Sequence, residues 1–311
     1  MKISIYKYLI RFGIIPLNRC IFAILRQEPQ NDKNNVMLSV AKHRKDFLKL
    51  VTDCKIALIS LMLFFYNIPC FAVTYASLSP VPTEIIYALN AEKNLVGVST
   101  TCNFPEETKE KPIIGDTYFV NMEMMVKLKP DYLFTMSSAK PMLGQLSQTK
   151  TKPIYFEFTK IEEIYDAINY IAKLTNTEEN APKLIANIKT KVEQNKTKNP
   201  KRILYVVQTE PLITIGEKSF ITDIIEKSGH TSVTSDIEHY YPNITLEYAM
   251  KMNPDVVIIC FPTNVEKIKK LLPNAKFLYL TEEQRDIINR SGPRVYEAVK
   301  LFADIEWLKP L

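Results

Sequence analysis

Two glutamates, Glu123 and Glu247, sit in the same local pattern 124 residues apart. Each stands seven residues before a Pro-Asp pair, Pro130-Asp131 in one case and Pro254-Asp255 in the other. Each Pro-Asp opens an apolar run, Tyr132 to Met136 and Val256 to Cys260. One Glu in the first turn of a helix answers to the helix macrodipole, a gain of about 0.3–1 kcal/mol, and needs no further role. Two in matched positions suggest a symmetric docking surface, with one carboxylate per repeat offered to a basic pocket on a two-fold partner.

A second set of residues suits capture of a small molecule. Phe104, Tyr118, Phe119, Ser137-Ser138, the pair Tyr240-Tyr241 and Phe261 all lie where predicted strands end. In α/β sheets ligands bind at the carboxyl ends of strands. Flat aromatic walls suit a large planar or macrocyclic ligand, and Arg294 is placed to pair with a carboxylate on it. For each aromatic the competing reading is core packing, and for Arg294 it is an ion pair or cap within the protein.

Other chemistry is missing from the chain. There is no glycine-rich phosphate loop, nucleophile elbow, kinase signature or pair of metal-ligating histidines. Glycine is scarce, with 7 in 311 residues, which argues against nucleotide-binding loops. Ser79 and Ser219 read as ordinary turn residues. No CxxC spacing occurs, so a structural zinc site is not expected. Cys102 and Cys260 leave a disulfide open in an oxidising compartment, although they fall in different halves of the pattern. No catalytic residue, cofactor or bound metal follows from these residues.

The elements that must position these groups alternate. Strands are expected at Val73 to Leu78, Leu95 to Ser99, 132–136 and Pro153 to Phe158. The second half repeats the scheme at Arg202 to Gln208, 256–260 and Phe277 to Leu280, with helical stretches between. Strands alternating with helices predict a mostly parallel sheet. Ile161, Ile164, Ile168 and Ile171 recur at the helical period and predict one buried helix face. Beyond Thr175-Asn176-Thr177 the span 177–197 reads as a long helix joining an N-terminal lobe, 73–176, to a C-terminal lobe, 198–311. Repetition at a fixed offset is what makes two similar lobes the expectation.

The net charge of +6 belongs to the amino end. Residues 1–72 hold eleven Lys/Arg against four Asp/Glu, leaving 29 against 30 in the rest. The lobes are therefore near neutral, and nucleic acid is not an expected partner. Within that leader a basic stretch from Lys42 precedes the apolar run Ile56 to Tyr66, then Pro69-Cys70-Phe71-Ala72. This reads as a signal peptide over 37–72, with cleavage after Ala72 and a retained membrane anchor as the alternative. Residues 1–36 read either as a start-site artefact, with translation beginning at Met37, or as a disordered extension.

Taken together, Ser79-Pro80-x-x-Thr83-Glu84, the strand end Gly97-Val98-Ser99 and both Glu-x6-Pro-Asp units resemble a known family. It is that of the periplasmic substrate-binding proteins of ABC importers for cobalamin and ferric siderophores. The resemblance covers about residues 73–306 and is closest to the cobalamin-binding members. It implies a class III periplasmic binding protein: two Rossmann-like α/β lobes joined by one long interlobe α-helix, with little hinge closure. It implies a monomer when free, a metal chelate held between the lobes, and Glu123 and Glu247 docking on arginines of the inner-membrane permease dimer. It implies cleft roles for Phe104, Tyr118, Tyr240 and Tyr241. Several of these positions are Trp in the cobalamin binders, whereas the sole Trp here is Trp307, so ferric chelates, haem and nickel chelates stay open. Rivals from other classes are a chelate-processing enzyme on the same scaffold and a membrane-tethered sensory domain.

Overall fold

The computed structural model describes residues 73–310 except 117, 262, 263, 291 and 308. The expected signal peptide and the stretch before it lie outside the described residues. The N-terminal lobe runs β1 (Tyr75–Ser77), α1 (Pro80–Ala88), β2 (Leu95–Ser99), β3 (Ile113–Gly115), α2 (Met122–Leu128), β4 (Tyr132–Met136) and β5 (Lys152–Phe156). Its sheet has the order β3-β2-β1-β4-β5, and every pairing is parallel.

Two helices follow, α3 (Ile161–Thr175) and α4 (Ala181–Gln194). The four isoleucines that set the period of α3 are all buried. The helix stops at Asn176, which adopts the left-handed conformation (φ 54°) that satisfies the last carbonyls. Within 177–197 the helix itself is α4, with Pro182 in its first turn, where a missing N–H costs nothing.

The C-terminal lobe comprises β6 (Arg202–Gln208), β7 (Ile213–Thr214), α5 (Phe220–Lys227), β8 (Thr231–Ser232), α6 (Leu246–Met252), β9 (Val256–Ile259), α7 (Glu266–Leu271), β10 (Lys276–Tyr279), α8 (Glu282–Ile288), α9 (Val295–Ala303) and β11 (Lys309–Pro310). Its sheet has the order β11-β10-β9-β6-β7, with β8 also paired to β6. The pairings among β10, β9, β6 and β8 are parallel, and the two short edge strands run antiparallel. All four residues of β9, Val-Val-Ile-Ile, are buried, as expected of a parallel strand covered on both faces.

The lobes are not independent hydrophobic units. One cluster of buried side chains contains Tyr75, Phe134 and Phe156 of the first sheet, Ile164 and Ile168 of α3, Ile188 of α4, and Tyr205 and Phe302 of the C-terminal lobe. The outer face of each lobe has a smaller core of its own. Polar ties pin the bridging helices at several points. The Asp223 carboxylate on α5 accepts the Ile161 N–H at 2.7 Å, capping α3 from the other lobe. Lys227 pairs with Glu162, and Asn180 donates to the Leu89 carbonyl at 2.8 Å.

Candidate functional site

The two Glu-x6-Pro-Asp units fold alike in detail. Asn121 caps α2 by accepting the Met124 N–H at 3.1 Å, and Thr245 caps α6 by accepting the Tyr248 N–H at 3.1 Å. Each helix ends on a left-handed residue, Lys129 (φ 48°) or Asn253 (φ 46°). The aspartates then lace three strands together. The Asp131 carboxylate accepts the Thr74 N–H at 2.8 Å, and its backbone joins Thr74 and Lys152. The Asp255 carboxylate accepts the Arg202 N–H at 2.8 Å, and its backbone joins Arg202 and Lys276.

The motif therefore aims each Glu. Because the helix is capped before it and anchored after it, Glu123 and Glu247 stand at the same point of their lobes, and both are exposed. Backbone N–H and the Thr245 hydroxyl hold the Glu247 carboxyl below its ordinary value. One turn on from each Glu lies an exposed apolar side chain, Val126 or Met250, again at matched positions.

At one end of the strand carboxyl rim the lobes are joined through Glu84. This carboxylate lies on α1 and is 4% exposed. Arg294 approaches it with two nitrogens, at 3.1 and 3.3 Å, and Arg290 with one at 3.2 Å. Arg294 also reaches Glu297 at 3.5 Å. Its guanidinium lies 3.8 Å from the centroid of Phe104. The structure thus brings together Phe104 and Arg294, but it commits the arginine to Glu84. Of the two readings of Arg294, a ligand carboxylate or an ion pair within the protein, the ion pair is present, since a buried carboxylate needs its partners, and the arginine side chain stays 24% exposed beside Phe104. Phe104 remains 42% exposed.

At the opposite end the Tyr240 hydroxyl donates to Glu157 at 2.7 Å, from the C-terminal lobe to the end of β5. The Glu157 carboxylate pushes the Tyr240 phenol above its ordinary value. Tyr241 diverges from its neighbour. It lines a cavity of about 630 Å³ with His239, Pro242, Ile244, Thr245 and Tyr248, at the start of α6. Tyr118 is almost fully exposed in a tight loop, where the Asp116 carboxylate accepts the N–H groups of Tyr118 and Phe119 at 2.7 and 2.8 Å. Ser137 is half-buried at the end of β4. Phe261 is exposed at the end of β9, with the Arg285 guanidinium 4.8 Å from its ring centroid.

Sequence reasoning missed Glu84, Glu157, Arg285 and Arg290. Glu84 had a visible signal: it is one charge within Pro-Val-Pro-Thr-Glu-Ile-Ile, a run otherwise suited to burial. Arg290 and Arg294, four residues apart, are the matching signal. Cys102 and Cys260 are both buried free thiols. Cys102 touches the hydroxyls of Thr83 and Ser99 at 3.1 and 3.2 Å, and burial pushes its thiol up. Among the described residues no cluster of His, Cys, Asp and Glu could hold a bare metal ion, and no helix is long and apolar enough to cross a membrane.

Residues 76–275 match the family model described as periplasmic binding protein. The chain belongs to the periplasmic binding protein family. The family's members are substrate-binding transport proteins, and the likeness extends along most of the chain. An ABC transporter substrate-binding lipoprotein of Bacillus subtilis, YvrC, is 26% identical over 246 residues, 73% of this chain and 78% of that protein. The vitamin B12-binding protein of Yersinia pestis is 23% identical over 231 residues, 72% of this chain and 82% of that protein. Among solved structures, a possible iron-binding (periplasmic solute-binding) protein from Staphylococcus epidermidis superposes with a TM-score of 0.66. It shares 27% identity and covers 76% of this chain and 98% of its own. The two-lobed periplasmic binding protein architecture is thus common to sequence and structure.

Proposed function

We propose that the protein is the solute-binding receptor of an ABC importer, capturing a metal chelate between its lobes and presenting it to a two-fold permease. A corrinoid or a ferric siderophore is the leading class of cargo, and haem or a nickel chelate is the alternative. The observation that carries this reading is the matched pair of exposed carboxylates, Glu123 and Glu247, on equivalent capped helices of the two lobes. Val126 and Met250 extend each contact with an apolar patch beside the charge. Interfaces combine such a desolvating surface with charge complementarity. The names of relatives, one vitamin B12-binding and one possible iron-binding, support a metal chelate as cargo.

In this reading Phe104, Tyr118, Ser137, Tyr240 and Tyr241 contribute to the ligand side, and Arg294 holds Phe104 in place rather than meeting the ligand. The N-terminal lobe is 73–176, the linking segment 177–197 and the C-terminal lobe 198–311. The leader at 37–72 directs the protein out of the cytoplasm, which N-terminal sequencing of the mature chain tests by a start at Val73. The docking role is tested with Glu123→Ala combined with Glu247→Ala. Uptake of a labelled chelate should fall by at least about tenfold while ligand affinity stays within twofold, since removing one partner of a close charge pair costs about 2–5 kcal/mol. Weakened ligand binding in that variant would refute the assignment of these residues to docking.

A further inference from the structure

The basic residues of the two lobes are not spread evenly. Residues 73–311 hold 29 Lys/Arg against 30 Asp/Glu, yet the stretch 183–202 holds seven Lys/Arg and a single acid, Glu193. This stretch is most of α4 and the segment that leads from it into β6. Helix α4 buries Ile188 and Val192 in the shared core. It leaves Lys183 and Lys189 exposed, and Lys196 and Lys198 are exposed just beyond it. Among the described residues only Lys196 of the seven forms an ion pair, with Glu193 at 2.7 Å.

The lysines frame a groove of about 630 Å³ between α3, α4 and the end of α5. Ile161 and Val192, both buried, form its floor. Tyr165 stands beside them, with the Lys189 ammonium 4.9 Å from its ring centroid. Lys196 and Lys227 complete the rim, and its two acids, Glu193 and Glu162, are each engaged by one of these lysines. An apolar floor under a rim of ammonium groups suits an amphipathic anion, with its charge at the lysines and its methylenes on the floor.

The fold separates this face from the docking glutamates. The stretch ends at Arg202, whose guanidinium donates to the carbonyls of Met252 at 2.6 Å and Asn253 at 3.5 Å. Those carbonyls lie at the C-terminal end of α6, and Glu247 stands in its first turn. The basic stretch and the Glu247 carboxylate thus occupy opposite ends of one helix.

We propose that the face formed by α4 and residues 196–202 is a peripheral membrane-contact surface, which rests on an anionic bilayer and seats an anionic phospholipid headgroup in the groove. Each Lys or Arg near such a surface strengthens binding about fivefold, and the attraction fades within about 10 Å and is screened by salt. A bilayer is the occupant because the expected leader at 37–72 directs the chain to a membrane, the one in which the proposed importer sits. The contact concentrates the receptor there and leaves Glu247 clear. The inference uses the proposed export of the chain, and neither the cargo nor the docking.

The test is lysine acetylation of the full chain, read residue by residue by peptide mass spectrometry. It is run without vesicles, with phosphatidylglycerol vesicles, with phosphatidylcholine vesicles and with inorganic phosphate. On phosphatidylglycerol, Lys183, Lys189 and Lys198 should react at least about threefold more slowly, and about 0.5 M salt should restore their rates. Lys109 and Lys218 should keep their rates throughout, which separates this face from any attachment made by the leader. Phosphatidylcholine and inorganic phosphate should protect none of the five. Lys183→Gln, Lys189→Gln and Lys198→Gln together should abolish the protection of Lys196 with an unchanged circular dichroism spectrum. Protection of Lys109 and Lys218 to the same degree, or of Lys196 in the triple variant, would overturn the proposal. Protection by phosphatidylcholine would remove the role of charge, and protection by inorganic phosphate would assign the groove to a free anion; either refutes the bilayer contact. No protection in any condition refutes it too, and leaves the receptor reading to its own test on Glu123 and Glu247.

Discussion

Glu84 is the residue on which the relation between the lobes turns. A carboxylate 4% exposed is stable only with its partners in place, and both partners come from more than 200 residues away. Glu84→Gln should therefore destabilise the fold by about 3 kcal/mol, the cost of leaving two half-buried arginines without their shared carboxylate, as read by urea denaturation. A loss below about 1 kcal/mol would show that the pair is not structurally significant. His230 makes a second prediction. Its Nδ1 accepts the Lys201 N–H at 3.0 Å, so Nε2 carries the proton and donates to the Phe302 carbonyl at 2.8 Å. Burial holds its pKa below the ordinary value. The unfolded chain binds this proton near pH 6.5, before the folded protein does, so stability is full above about 6.5 and is lost as pH falls below it. Melting temperature measured from pH 7.5 to 5 should decline, and His230→Asn should flatten that slope. At this scale the sequence was least legible. The pairings of Glu84, Arg294, Glu157 and Tyr240 join residues that only the tertiary fold brings together. Tyr240 and Tyr241, adjacent in sequence, go to different places.

The elements were far more legible. The isoleucine period of α3 and the apolar run of β9 are local signals of burial, and both regions formed as expected. The short strands β7, β8 and β11 were not foreseen. Each has two residues, too few to show any period, and is set by its pairing partner rather than by propensity. The repeated Pro-Asp was read as the start of a buried strand, but its aspartate does more, holding the first residues of the neighbouring strand. One difference between the repeats yields a prediction. At the left-handed helix end the first has Lys129, where the second has Asn253. A lysine there is strained by its Cβ, whereas asparagine tolerates the conformation. Lys129→Asn should raise stability by about 0.5–1 kcal/mol in urea denaturation, with no change in ligand binding.

For the whole molecule the decisive feature is the core shared by the lobes. The α/β class and the two-lobed plan followed from alternation and repetition. That α3 and α4 fuse the two hydrophobic interiors did not, because a helix period shows which face is buried and not against what. Phe302, packed on Tyr205 at 6.2 Å with its carbonyl held by His230, lies deep in this shared interior. Phe302→Ala should cost about 3–5 kcal/mol. A common core also predicts that the lobes unfold together, so that fluorescence and far-ultraviolet dichroism give coincident denaturation curves. Two separated transitions would mean that the interior is divided.

That common core makes the molecule a caliper. Glu123 and Glu247 stand on different lobes, and lobes that cannot slide past one another hold them at a set span. On the proposed docking, a permease with two basic pockets gauges a distance as well as two charges. A lesion that splayed the lobes, far from either glutamate, would then present both carboxylates at the wrong gauge. Such a receptor would keep its ligand and fail to hand it over.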